Sequence, residues 1–402
     1  MIERKEYLDK LLGHKDKRLI KVITGVRRCG KSTLLELFTE RIRKMGVGDD
    51  QILSINFEAY ENERLLDLNT LHAYVLEHAA KGKTTYVFLD EVQKVAGFQI
   101  IVDSLYLRKN LDIYITGSNS SLLSGELASL LTGRYVEIGM LPLSFAEFVS
   151  ANGGMSDLQS KYQLYLENSS FPAALEFENN RKLILDYLDG LYNSIVTNDI
   201  VRRKKITDTM MLRSILCFAF DNAGRHLSTK GISDYMNSNG RKIDVKTVEK
   251  YVSALVESFL LYRAYRYNIK GKQQLKTLEK YYAVDIGLRY AVLGNEGADV
   301  GHILENVVFL ELIRRGYNVT VGKWDEFEVD FVAKNPNERL YFQVAASVRD
   351  EKTLERELRP LQKISDHYPK CILTLDDDPD SDYNGIRRTN ALRWLCREVP
   401  AY

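Results

Sequence analysis

The chain has 402 residues, room for two to four domains at roughly 100–200 residues each. Its 56 Lys plus Arg nearly balance 55 Asp plus Glu, leaving a formal net charge of +1, which excludes a uniformly basic nucleic-acid coat protein but allows a local basic face. Hydrophobic residues at 45% and charged residues at 28% are ordinary soluble-globular values, and 25 Gly with 7 Pro exclude a low-complexity chain.

Cys29, Cys217, Cys371 and Cys396 are far apart and form no CxxC pair, which points to a reducing compartment and not to a disulfide framework. The scattered histidines offer no zinc-ligand spacing. No stretch approaches the roughly 18 apolar residues of a membrane helix. Met1–Lys10 is charged and lacks the apolar core of a signal peptide. A cytoplasmic protein without membrane association is expected.

Five β-like runs come first: Leu19–Thr24, Ile52–Phe57, Thr85–Leu89, Ile113–Thr116 and Tyr135–Ile138. Between the first two, Leu34, Leu35, Leu37, Phe38 and Ile42 have helical spacing. Alternating β and α elements predict an α/β domain with a parallel sheet and helices on both faces. Gly25-Val26-Arg27-Arg28-Cys29-Gly30-Lys31-Ser32 matches GxxxxGK[ST], with a β run before it and a helix starting at Ser32 or Thr33. Backbone N–H groups of such a loop, Gly25 to Thr33, can wrap a phosphate, and the helix N-terminus adds its dipole. ATP is the expected ligand. Lys31 is expected on the β and γ phosphates, and the Ser32 hydroxyl on Mg²⁺. Arg27 and Arg28 either add charge there or are solvated loop residues.

The run Thr85–Leu89 ends in Asp90-Glu91, two carboxylates at the sheet edge where ligands bind. Asp90 is expected to hold Mg²⁺, directly or through water, and Glu91 to orient and deprotonate the attacking water. The run Ile113–Thr116 ends in Gly117-Ser118-Asn119-Ser120, where Ser118 or Asn119 touches the γ-phosphate or the water, or forms an ordinary turn. Arg134 is a candidate for stabilising phosphate charge, in its own subunit or across an interface of a homo-oligomer; a plain surface Arg is the alternative.

At this point the sequence resembles a family of bacterial and archaeal AAA-like ATPases with a C-terminal DUF4143 region. The resembling stretches are Ile23–Leu35, Ile55–Glu58, Phe88–Val95, Ile115–Ser124, Leu131–Phe148 and Phe171–Glu176. The resemblance implies an additional-strand P-loop fold with strand order 5-1-4-3-2. It also implies Glu91 as the catalytic carboxylate and Asn119 or Ser118 as the sensor. It implies no cellular role.

Ala151-Asn152-Gly153-Gly154 is a loop signal, and Leu158–Leu261 reads mostly helical. Ser228-Thr229 can cap a helix to about Met236. A second helix, Val245 to Ser258, carries Val245, Val248, Val252 and Leu255 on one face. A β-hairpin follows, Tyr262–Tyr267 and Lys280–Val284, so a winged helix-turn-helix is expected. From Arg225 to Lys280 there are 12 basic and 5 acidic residues, a local excess suited to double-stranded DNA. Arg241, Lys242, Lys246 and Lys250 are the candidate contacts. A protein-binding winged helix is the alternative.

The last segment returns to β structure at Tyr317–Val321, Glu328–Val332 and Leu340–Ala345, then a helix around Lys352–His367 and an apolar run Cys371–Leu375. Glu305, Asp330 and Gln343-Val344-Ala345 have the layout of a restriction-endonuclease-like α/β domain in which the metal-binding E-x-K has become Q-V-A. Expected domains are 1–150 (ATPase), 151–290 (helical, winged helix) and 291–402 (DUF4143-like, nuclease fold).

Three functions compete. One is an ATPase that couples Mg-ATP hydrolysis to conformational change on DNA. Another is a nucleotide-gated DNA- or protein-binding switch with slow hydrolysis, and the third an ATP-regulated metal-dependent nuclease. Glu91 favours the first over the second, since a pure switch needs no water activator. Gln343 and Ala345 disfavour the third.

Overall fold

The five N-terminal runs become five parallel strands in the computed structural model, which describes residues 2–120, 131, 133–294 and 299–400. They are β1 (Ile20–Thr24), β2 (Ile52–Asn56), β3 (Thr85–Asp90), β4 (Leu111–Gly117) and β5 (Tyr135–Gly139). Their order is β2-β3-β4-β1-β5, which is the 5-1-4-3-2 order expected. Every residue of β1 and β3 is buried, as continuous apolar runs covered on both faces require.

Helices α1 (Lys5–His14), α2 (Lys31–Lys44), α3 (Leu68–Glu77) and α4 (Phe98–Tyr106) flank this sheet. Alternation along β3 and β4 separates two faces. Phe88 and Tyr114 meet Phe38 of α2, ring centroids 6.1 and 5.1 Å away. Val87, Leu89, Ile113 and Ile115 pack instead with Leu71 and Val75 of α3 and Ile101, Val102 and Leu105 of α4. Each such buried side chain contributes roughly 1.5–3 kcal/mol.

The chain divides into two compact units, Met1–Pro142 and Leu143–Tyr402. The second begins with α5 (Phe145–Ala151), α6 (Leu158–Asn168), α7 (Arg181–Ser194) and α8 (Thr209–Asp221). Then come β6 (His226–Leu227), α9 (Thr229–Ser238), α10 (Val245–Glu257), β7 (Leu261–Asn268), β8 (Gln273–Ala283), α11 (Ile286–Leu293) and α12 (Val300–Arg314). The chain continues through β9 (Asn318–Trp324), β10 (Phe327–Lys334), β11 (Arg339–Ala345), α13 (Glu351–Lys363), β12 (Lys370–Thr374), β13 (Ser381–Asp382), β14 (Ile386–Asn390) and α14 (Ala391–Leu395). All nine of these strands form one sheet, β13-β14-β12-β11-β10-β9-β7-β8-β6.

That sheet runs across the division expected near 290. Strand β7 pairs in parallel with β9, Arg266 opposite Val321 and Tyr267 opposite Gly322. An unpaired hairpin edge would present free N–H and C=O groups, and β9 covers it. By compactness residues 143–402 form one unit, and the first unit ends at Pro142, close to the boundary expected near 150. Val245 also departs from expectation: it is exposed, while Val248, Tyr251, Val252 and Leu255 face the interior.

Candidate functional site

The site grows from the ends of β1, β3 and β4. After Thr24 the backbone enters the left-handed region at Gly25 (φ 152°), where a Cβ would lie 2.2 Å from the Met140 carbonyl oxygen. Only glycine fits that approach. Gly30 (φ 102°) turns the loop into α2, whose first residue is Lys31. Val26 and Cys29 are buried in the loop, Arg28 is exposed, and Ser32 and Thr33 open the helix. Burial pushes the Cys29 thiol up, so it packs as a protonated, inert group. Arg27 reaches Glu58 at 3.2 Å.

Lys31 is 4% exposed. Its ammonium donates to the carbonyls of Gly25 (3.2 Å) and Val26 (3.3 Å) and lies 3.4 Å from a Glu91 carboxylate oxygen. Asp90 accepts hydrogen bonds from the Ser32 and Thr116 hydroxyls. Burial still pushes its carboxyl above the usual aspartate value. At Glu91 burial acts the same way but loses: the Lys31 charge, the Gln93 amide and the Arg27 charge hold its carboxyl below the usual range. Glu91 itself has a left-handed backbone (φ 55°), fixed by its N–H donating to Thr116 Oγ1 at 2.9 Å.

Ser118 and Asn119 are buried directly beyond β4. Ser118 Oγ is 3.4 Å from Gln93 Nε2, which also donates to Glu91. The expected Lys31, Ser32, Asp90, Glu91, Ser118 and Asn119 thus converge on one sheet edge. Residues 121–124 of the resembling stretch, and Thr132, lie outside the described residues.

Arg134 does not converge. It precedes β5, which runs parallel to β1, so it sits at the opposite edge of the sheet; its carbonyl accepts from Ile20 N–H. Its guanidinium pairs with Asp103 and lies 5.5 Å from the Tyr106 ring centroid. A role on its own chain's phosphate is excluded by that placement, because a five-residue strand spans about 16 Å. Gln93 and Thr116 were missed by sequence reasoning. Thr116 was reachable, since the expected strand order sets the end of β4 beside that of β3.

In the second unit, Lys242, Lys246 and Lys250 are exposed. Arg241 is also exposed but is tied back to α8, donating to the Met210 carbonyl (3.4 Å) and the Ser214 hydroxyl. Lys280, counted in the basic excess, is not at the surface. It is 4% exposed, 2.9 Å from Glu305 and 2.9 Å from Glu328. Tyr282 donates to Glu305 at 2.7 Å, and His226 pairs with Glu328. Asp330 accepts from Val344 N–H, while its own N–H donates to Gln343 Oε1, each at 2.8 Å. Burial, then the Glu305 charge, drives the Asp330 carboxyl well up; Glu328 is held at about 2 against burial by His226 and Lys280. The sequence signal for Lys280 was its place, two residues from Tyr282, on the inward face of β8.

No helix among the described residues is long and apolar enough to cross a membrane. A family model described as an AAA domain matches residues 17–149, and one described as a domain of unknown function, DUF8612, matches residues 159–299. The second match corrects the DUF4143 expectation. Of the stretches that suggested it, only Phe171–Glu176 lies beyond the AAA part, so little sequence carried the label. The Walker-type ATPase of Pyrococcus abyssi superposes with TM-score 0.48 at 17% identity, over 73% of this chain and 96% of that one. The Aeropyrum pernix Orc1 protein in complex with DNA gives TM-score 0.33 at 12% identity, over 73% and 92%. Those likenesses are too distant to carry an assignment. Relatives carry it. An uncharacterized protein of Haemophilus influenzae is 41% identical over 401 residues, 99% of each chain. Another, of Methanocaldococcus jannaschii, is 31% identical over 384 residues, 89% of this chain and 82% of that one. The chain belongs to the family of these two proteins, and its N-terminal part is an AAA-type P-loop ATPase domain.

Proposed function

We propose that the chain is a Mg²⁺-dependent ATPase that couples hydrolysis to a conformational change on duplex DNA. The observation that carries this reading is the pairing of Lys31 with Glu91 beside the hydrogen-bonded Ser32 and Asp90. Ser32 and Asp90 suit Mg²⁺, which takes few protein oxygens and leaves positions for phosphate and water. Among the described residues no group of three His, Cys, Asp or Glu offers a rival metal centre. Mg²⁺ bound there would neutralise charge on the phosphates.

The loop N–H groups are suited to holding the phosphates. Lys31 exchanges two carbonyls and a carboxylate for phosphate oxygens. Glu91, ionised in the folded chain, then accepts a proton from the attacking water. Ser118 and Asn119 sit where they report the state of the phosphate to β4. Arg134 acts only across an interface with a second copy, since its own P-loop is at the far edge.

The order helix–strand–helix–helix–strand–strand from α8 to β8 supports a winged helix-turn-helix, with Lys242, Lys246 and Lys250 as its exposed cations. Strands β9 to β12 with α12 and α13 support a nuclease-like core. The structure gives cleavage there no support: Lys280 already lies between the carboxylates, and Gln343 hydrogen-bonds Glu357 at 2.8 Å.

The test is phosphate release from Mg-ATP. Glu91→Gln keeps nucleotide binding and lowers turnover by on the order of 10²–10⁴, the usual cost of losing a positioned base. A wild-type rate in that variant would move water activation to another carboxylate.

A further inference from the structure

Two residues beyond Glu91, Gln93 does something that no general role for a P-loop assigns. The left-handed backbone at Glu91 starts a short 3₁₀ turn, Val92–Lys94. That turn brings the side chain of residue 93 back over the carboxylate two positions earlier. Gln93 Nε2 donates to Glu91 Oε2 and lies 3.4 Å from the Ser118 hydroxyl at the end of β4. Its Oε1 is buried and has no hydrogen-bond partner among the described residues. A half-buried amide whose buried oxygen goes unused among the described residues is poorly explained by stability, and such groups call for another reason.

The two oxygens of Glu91 have separate partners. Oε1 faces Lys31 at 3.4 Å; Oε2 takes the Gln93 amide. Phosphate oxygens compete for Lys31 when a nucleotide binds, while the Gln93 amide keeps its hold on the carboxylate. The chemistry of an amide fits that duty. It orients an anion without adding a charge that would neutralise it, whereas a Lys would pair with the base and a Glu would repel it.

We propose that Gln93 is the positioning residue for water activation: its amide holds the Glu91 carboxylate against the end of β4 while Lys31 serves the phosphates. The inference rests on the ATPase reading above. Gln93 acts through Glu91 and touches no phosphate.

The test compares wild type, Gln93→Met, Glu91→Gln and the double variant, measuring kcat and KM for Mg-ATP, nucleotide affinity by calorimetry, and Tm. Gln93→Met keeps length and volume and loses the donor. Its kcat falls roughly 10–100-fold, the size of effect seen when a partner that orients a metal-binding side chain is removed, while KM, affinity and Tm hold. The double variant is no slower than Glu91→Gln alone, because both changes remove one unit. An unchanged kcat in Gln93→Met, a loss that appears in affinity instead, or additive losses in the double variant overturns the proposal. If Gln93→Met does not fold, Gln93→Asn, whose amide is one methylene short of the carboxylate, is held to the same outcomes. Wild type without turnover sinks the ATPase reading and this inference together; active wild type with unaffected Gln93→Met sinks this inference alone.

Discussion

Lys31 is a cation that the fold keeps occupied by weak acceptors. Two carbonyls at 3.2 and 3.3 Å and a carboxylate at 3.4 Å are long contacts that phosphate oxygens can replace. Lys31→Ala should lower ATP affinity by at least about tenfold, because a hydrogen bond to a charged group is worth about 1.5–3 kcal/mol. Calorimetry checks this, and unchanged affinity would dismiss the site. Glu328 is a second residue with a definite expectation. Against burial, His226 and Lys280 hold its folded carboxyl down at about 2, below the usual glutamate value of 4.5. A depressed carboxyl stabilises the fold above its unfolded value and loses that contribution as pH falls through the folded one. Wild type should therefore lose stability between about pH 4.5 and pH 2, and Glu328→Gln should lose less over that window in urea titrations. Lys31, Ser32, Asp90 and Glu91 were legible because their chemistry depends on local spacing. Gln93 was not, because its contact depends on the left-handed backbone at Glu91, which residue type does not announce. Lys280 was read as surface charge because its partners lie 25 and 48 positions away in sequence.

At the scale of elements, the strand–loop–helix from β1 to α2 was readable as a unit, since glycine spacing, apolar run and helical stripe agree there. Gly25→Ala should destabilise this unit by about 1–3 kcal/mol, since the new methyl must displace the Met140 carbonyl. Chemical denaturation of the variant reads that loss; a neutral effect would contradict the close approach at Met140. Helix α10 separates function from packing more cleanly. Val248, Val252 and Leu255 face inward while Lys246 and Lys250 face out. Replacing both lysines by Ala should leave the helix intact, as Ala is the best helix former. Duplex binding at low salt should weaken, and its salt dependence should flatten by about 0.9 in slope per lost phosphate contact. Fluorescence anisotropy against salt measures both quantities. Identical slopes in variant and wild type would point to a protein-binding role for this helix. The hairpin was foreseen, but its length and its pairing with β9 were not, because a parallel partner some fifty residues away leaves no local pattern.

Over the whole molecule, the second unit is held together by the continuous sheet and by a buried ionic knot. Lys280 on β8 binds Glu305 on α12 and Glu328 on β10, three elements that sequence reasoning had assigned to two domains. Lys280→Ala should cost the second unit about 3–5 kcal/mol, since Glu305 keeps its burial and loses its cation, the part-exposed Glu328 adding little. Urea unfolding monitored in that unit checks the figure, and a neutral effect would mean that His226 and the Tyr282 hydroxyl suffice for these acids. The measurement that bears most directly on the central claim is phosphate release from Mg-ATP by the full chain, with and without duplex DNA at low salt, beside Glu91→Gln. A DNA-coupled ATPase predicts release that depends on Glu91 and rises with duplex. Release no greater than that of Glu91→Gln, in either condition, would contradict it.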